Sequence, residues 1–103
     1  MEPGFYRAAS LDELEDGRSA AVEVGVMPLM LHRRGAQVFA TGVFCPHAEV
    51  RLDPANCFGD EIVCKAHGYH SNIRTGECLT DPDLRLPTYP VRVLEGEVWV
   101  KFY

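Results

Sequence analysis

No stretch of this chain stays apolar for the roughly 20 residues that a bilayer-crossing helix needs. Its first residues also lack the basic-then-apolar order of a targeting segment. A free soluble protein, without membrane or anchor, is therefore expected. There is no basic stripe either: the formal net charge is −5, which disfavours nucleic acid as a partner. That acidity suits a docking partner with a positive face, and it equally suits the ordinary solubility of a small protein. The glycine-rich fingerprints that cradle flavin or nicotinamide phosphates are missing, so the chain is not expected to collect hydride itself. Helical periodicity of useful length is absent, as are internal repeats and low-complexity stretches.

What is present fits one small domain spanning residues 1–103. About half the residues are apolar and a quarter charged, as in ordinary globular proteins. The pattern reads as β throughout. Phe5–Ala8 begins as a strand, and Ser10–Gly17 follows as a turn, with room for one helical turn capped by Ser10. Ser19–Val24 alternates, Gly25 breaks it, and Leu29–Leu31 forms a second apolar run ending at an Arg34-Gly35 turn. Gln37–Thr41 is a short strand. Turn residues at 53–56 and 59–60 precede a strand at Glu61–Val63. Asn72–Arg74, a turn at 75–77 and Cys78-Leu79 come next, followed by a proline-bearing loop, Thr80–Pro87. A hairpin closes the chain: Tyr89–Leu94, a turn at Glu95-Gly96, and Glu97–Phe102, where Val98, Val100 and Phe102 share a face opposite Trp99 and Lys101. Many short strands predict an all-β fold, a small antiparallel sandwich or barrel.

Two clusters of chemistry-bearing residues stand out. Cys45-Pro46-His47 and Cys64-Lys65-Ala66-His67 each pair a thiol with an imidazole, and sixteen residues separate them. A short loop can aim each pair at one metal. By themselves two Cys and two His admit either a tetrahedral structural zinc or an iron pair. The other two cysteines, Cys57 and Cys78, stand apart and read as small, partly buried residues. Disulfides are the other use for four cysteines in a small chain, but the Cys/His pairing favours a reducing, cytoplasmic setting. His32, beside Arg33 and Arg34, reads as part of a solvated basic turn.

The order C-x-H then C-x-x-H resembles the Rieske iron–sulfur proteins. The likeness continues through Cys64–Tyr69, Arg74–Leu79, Thr88–Val93 and Gly96–Val100, so it covers the whole chain and is strongest from Phe44 onward. It implies the Rieske iron–sulfur fold, with cluster-binding loops within about residues 44–71 and a covering loop at about 80–87 that contains Pro82 and Pro87. It also implies one 2Fe–2S cluster per chain, held by Cys45 and Cys64 on the buried iron and by His47 and His67 on the outer one. Imidazoles in place of two thiolates remove negative charge and raise the potential. Gly68 would let backbone N–H groups approach the cluster sulfurs. Tyr69, Val50 and Phe44 are placed to shield the site, with plain core packing an equal alternative for Phe44.

Several departures refine the resemblance. Membrane Rieske proteins join their loops by a disulfide where this chain has Val50 and Ala66, and they carry a serine where it has Tyr69. Both losses point to the low end of the family's range, about −150 mV rather than about +300 mV. Lys65 stands where most of the family's ferredoxins have proline and resembles ferredoxins of toluene-type diiron monooxygenases, while the remainder is more similar to those of ring-hydroxylating dioxygenases. His70 is expected at the docking rim rather than on the metal. An oxygenase itself would need a second iron held by two His and a carboxylate, and only His32 and His70 remain. The implied role is therefore not an enzyme. It is a carrier taking single electrons from a flavin-dependent reductase to a terminal oxygenase in aromatic hydrocarbon catabolism, with docking near His47 and His67. A nitrite reductase small subunit and a zinc-stabilised interaction module are the alternatives.

Overall fold

The computed structural model describes residues 4–47, 50–66 and 68–101. Among the described residues, ten strands form three antiparallel sheets. The first joins β1 (Phe5–Ser10), β10 (Glu97–Lys101) and β9 (Val91–Leu94) in the order β1-β10-β9. The second runs β2 (Ser19–Val24), β3 (Met27–Arg34), β4 (Gln37–Thr41) and β8 (Thr88–Tyr89) in sequence order. The third, smaller sheet is β5 (Cys57-Phe58), β6 (Glu61–Val63) and β7 (His70–Asn72). The expected all-β architecture is therefore present. The expected helical turn after Ser10 is a single 3₁₀ turn, Leu11–Glu13, where the Ser10 N–H donates to the Glu13 carboxylate at 2.8 Å. Among the described residues, no helix is long and apolar enough to cross a membrane.

β3 is the pivot of the molecule, because it is buried on both faces. Leu29 and Leu31 point into one core with Ala9, Leu14, Val24, Val38, Ala40, Val98 and Val100, between the two larger sheets. Met30, on the opposite face, enters a second core with Val43, Cys45, Leu52, Ile62, Cys64, Ile73 and Leu86. Double burial explains why Leu29–Leu31 is an unbroken apolar run rather than an alternation. Val98 and Val100 share their face as expected, and Phe102 lies outside the described residues.

The strand expected over Tyr89–Leu94 is in fact two strands. Tyr89 pairs with Ala40 in the second sheet, whereas Val91–Leu94 pairs with β10 in the first. Pro90 stands at the crossing, where it has no N–H to offer either ladder. Its carbonyl accepts from Lys101 N at 3.0 Å. One segment thus supplies an edge strand to each of the two larger sheets.

Two arginines tie the small sheet to the second sheet. Arg34, at the end of β3, donates to the Gly59 carbonyl and places Nη2 3.2 Å from the Cys57 sulfur. Arg74 pairs with Asp60 at 2.9 Å while its guanidinium lies 4.6 Å from the centroid of the Phe39 ring on β4. The β5–β6 hairpin is therefore held from both sides.

Candidate metal centre

The two Cys/His segments fold as a matched pair of loops. In the first, Cys45 N donates to the Val50 carbonyl at 2.8 Å and Leu52 N to the Val43 carbonyl at 2.7 Å. In the second, Cys64 N donates to the Tyr69 carbonyl at 2.9 Å. Each cysteine amide thus closes its loop onto the residue five positions on. β6 delivers the chain into the second loop and β7 receives it, just as the Phe44–Arg51 bridge frames the first. The closure turns both cysteine side chains inward: Cys45 and Cys64 are buried in the same core. Val50 and Tyr69 pack against that core.

Phe44 is different. It is 46% exposed, so it does not pack in the core. Phe44 forms an isolated bridge with Arg51, and its buried neighbours Val43 and Cys45 point in, which sends Phe44 out. Leu79, from the segment after β7, is another large apolar side chain left exposed.

His47 sits at the surface, and its ring stacks on Tyr69 of the other loop with centroids 4.3 Å apart and planes 24° from parallel. This loop-to-loop stack has no signature in the spacing of either motif. His67 and Ala48 lie outside the described residues, as does Glu49. Among the described residues, no three His, Cys, Asp or Glu side chains converge on one point. Gly68 has φ +69 and open space where a Cβ would stand, and its amide donates to the Cys64 carbonyl at 2.7 Å. Glycine is therefore needed there for its left-handed backbone. Its own N–H is committed to the turn rather than offered to a sulfur.

Asp53 and Lys65 form an ion pair at 2.9 Å between the segment leaving the first loop and the tip of the second. The Lys65 ammonium and the Ala55 amide hold the Asp53 carboxyl below its usual pKa. His70 is turned to Glu61, with Nδ1 3.0 Å from the carboxylate, and is well exposed. His70→Ala is therefore expected to leave the visible absorption of the purified protein unchanged and to cost less than about 1 kcal/mol in urea denaturation.

His32 is where the structure overturns the sequence reading. It is not in a solvated basic turn: its exposure is 0%, between β2 and β4. Nε2 is 2.9 Å from Thr41 Oγ1 and Nδ1 is 2.6 Å from Ser19 Oγ. Thr41 already donates its hydroxyl to the Gly42 carbonyl, so it accepts from Nε2–H, and Nδ1 accepts from Ser19. The missed signal was the strand itself. β3 continues to Arg34, and the Ser19–His32 register closes the hairpin over the side chain. The lone cysteines fare as expected: Cys57 is half-buried against Arg34, and Cys78 is buried.

The proline-bearing loop is anchored at its C-terminal end. Leu86 is buried beside Cys45 and Cys64, Leu86 N donates to the Gly76 carbonyl at 2.8 Å, and Pro87 O accepts from Gly42 N at 2.9 Å. Pro82 and Pro87 are both exposed. The donor set suits an iron–sulfur cluster. Two sulfurs lie in an apolar core with their backbone amides already used, and one imidazole lies at the rim, so a low-charge centre can sit half inside the protein.

Comparison with known proteins agrees with this geometry. Residues 4–90 match the family model described as Rieske [2Fe-2S] domain. Ferredoxin CarAc of Metapseudomonas resinovorans is 38% identical over 102 residues, covering 97% of this chain and 95% of the relative. Among solved structures, the ferredoxin of carbazole 1,9a-dioxygenase from Nocardioides aromaticivorans IC177 superposes with a TM-score of 0.85 at 31% identity, covering 96% of this chain and 98% of that one. A complex of reduced oxygenase and oxidized ferredoxin in carbazole 1,9a-dioxygenase matches with a TM-score of 0.82 at 31% identity, covering 97% and 94%. Sheet topology, loop closure and sequence therefore coincide: this chain belongs to the Rieske [2Fe-2S] domain family and carries that family's cluster.

Proposed function

We propose that the chain is the electron-carrying ferredoxin of a multicomponent oxygenase, with no catalysis of its own. The observation that carries this is the pair of identically closed loops, which bury Cys45 and Cys64 in one core and leave His47 at the surface. Its relatives are ferredoxins of dioxygenase and alkene monooxygenase systems, and one is matched in a complex with its oxygenase. Cys45 and Cys64 hold the inner iron, His47 and His67 the outer iron, within a single domain spanning 1–103. The bound cluster supplies a one-electron acceptor and donor. The chain's own residues do the rest. The apolar core around the cysteines excludes water, and the His47–Tyr69 stack fixes the rim imidazole at the surface a partner approaches. Exposed Phe44, next to Cys45 in the chain, adds apolar contact area there. The partners are a terminal oxygenase acting on an aromatic or similar hydrocarbon and, upstream, a flavin-dependent reductase, in the cytoplasm. Unbridged Cys57 and Cys78 suit a reducing compartment.

The test is spectroscopic. Anaerobically purified protein should be coloured, contain iron and acid-labile sulfide, and give a low-average-g EPR signal after dithionite, a signal that Cys64→Ser removes. A colourless, zinc-loaded protein would sink the reading. With a flavin reductase and reduced nicotinamide, the absorption should bleach by one electron per chain and recover on adding an oxidised Rieske oxygenase.

A further inference from the structure

Lys65 stands between Cys64 and His67 and is one of only two lysines in the chain. Its Nζ lies 2.9 Å from Asp53 Oδ2. Asp53 is itself fixed. It follows Leu52, which packs in the core with Cys45 and Cys64, and its Oδ1 accepts the Ala55 amide at 2.9 Å as the cap of a 3₁₀ turn. A carboxylate pinned to the backbone therefore holds the ammonium of the second loop. The two side chains are 67% and 38% exposed, so the pair adds little to stability. Its electrostatic effect on a nearby centre is another matter. Reduction adds one electron and no bond, and the added negative charge is favoured by a neighbouring cation and opposed by a neighbouring carboxylate.

We propose that Asp53 tunes electron transfer by charge compensation: it pairs with Lys65 of the second metal loop and offsets its charge, setting the potential of the centre below what Lys65 alone would give. This rests on the assignment of Cys64 and His67 as ligands. Removing Asp53's charge leaves an uncompensated cation, and removing that of Lys65 leaves an uncompensated carboxylate. The two changes must therefore move the potential in opposite directions, which a purely structural role for the pair does not do.

The experiment is a spectroelectrochemical titration of the cluster-loaded protein. Asp53→Asn keeps the cap on Ala55, since an asparagine oxygen accepts the same N–H, and should raise the midpoint potential. Lys65→Gln should lower it, Lys65→Arg should leave it in place, and the double variant Asp53→Asn/Lys65→Gln should return close to the starting value. Both shifts should shrink in about 0.5 M salt, where the screening length falls to a few ångströms. Shifts of the same sign in the two single variants, or none in either, overturn the proposal. If Asp53→Asn does not retain its cluster, Asp53→Ser, whose hydroxyl oxygen also caps the Ala55 amide, takes its place: a raised potential supports the proposal, and a lowered or unmoved one overturns it. Failure of the ligand assignment is seen separately, as wild-type protein without a cluster, before any variant is titrated.

Discussion

Gly76→Ala is expected to destabilise the protein by several kcal/mol and to strip the second core of its proline-bearing loop. Gly76 has φ +80, and a Cβ built there would lie 2.2 Å from the Leu86 carbonyl oxygen and 3.2 Å from Thr88 Cγ2. The left-handed backbone alone costs a residue with a side chain about 1–2 kcal/mol. The contact with Leu86 cannot be relieved by a rotamer, because the obstructing atom is backbone. Nor can Leu86 move cheaply. Its side chain is buried beside Cys45 and Cys64, and its N–H donates to Gly76 itself at 2.8 Å. Either that bond or the packing of Leu86 must go, so the total reaches roughly 3–5 kcal/mol. In a domain of this size that lowers the melting temperature by roughly 15 °C or more. Gly25→Ala is the control: φ is +64 but nothing lies within 4 Å, so only the conformational cost of about 1 kcal/mol remains. Thermal denaturation of the two variants separates clash from backbone conformation, and equal losses would contradict the argument. The loaded Gly76→Ala protein should also lose its visible absorption faster in the presence of a chelator.

The strands that the sequence marks by alternation and flanking turns, Ser19–Val24, Gln37–Thr41 and Glu61–Val63, form with those limits. Their neighbours are mostly sequence-local, so a hairpin suffices to define them. Where long-range pairing decides, the sequence is silent. Nothing in the valine alternation of 89–94 says that Pro90 hands the chain from one sheet to the other, because β4 and β10 compete for it from distant positions. The same holds at the site. The two short loops that carry Cys45, His47 and Cys64 are legible from the Cys/His spacing, and each closes by a hydrogen bond between residues five apart. The His47–Tyr69 stack and the Asp53–Lys65 pair are not, because each joins residues from different loops. Residue type alone misleads at Phe44 and His32 in opposite directions. An aromatic suggests burial and a histidine beside two arginines suggests solvent, yet Phe44 turns outward between buried Val43 and Cys45, and the sheet around His32 buries it. For His32, Thr41 and Ser19 then supply the partners that make a buried imidazole tolerable.

That imidazole makes the fold sensitive to acid. Burial first, and the positive charge of Arg34 second, push the His32 pKa from 6.5 down to about 3. The native state therefore keeps His32 neutral while the unfolded chain takes up a proton as the pH falls below 6.5. Protons bound preferentially by the unfolded state drain stability as pH falls. The contribution is thus intact above pH 6.5 and is lost progressively between 6.5 and about 3, at about 1.4 kcal/mol per pH unit. From about pH 7 to about pH 5, His32 alone should cost roughly 2 kcal/mol. The charged groups facing it agree in sign. Arg34 opposes a second cation, the half-buried thiol of Cys57 lies 4.0 Å from Nδ1, and no carboxylate contacts either ring nitrogen among the described residues. His32→Gln removes the titration while leaving a neutral amide to meet Ser19 and Thr41. The variant should be less stable than wild type near pH 7, by about 1–2 kcal/mol from lost packing and poorer hydrogen bonds. Its loss on acidification to about pH 5 should be smaller than that of wild type by roughly 2 kcal/mol, so the two denaturation curves converge or cross. Urea denaturation of both proteins at matched pH values reads this directly. Parallel pH profiles would show that His32 is protonated equally in the folded and unfolded chains, and that water reaches it between β2 and β4.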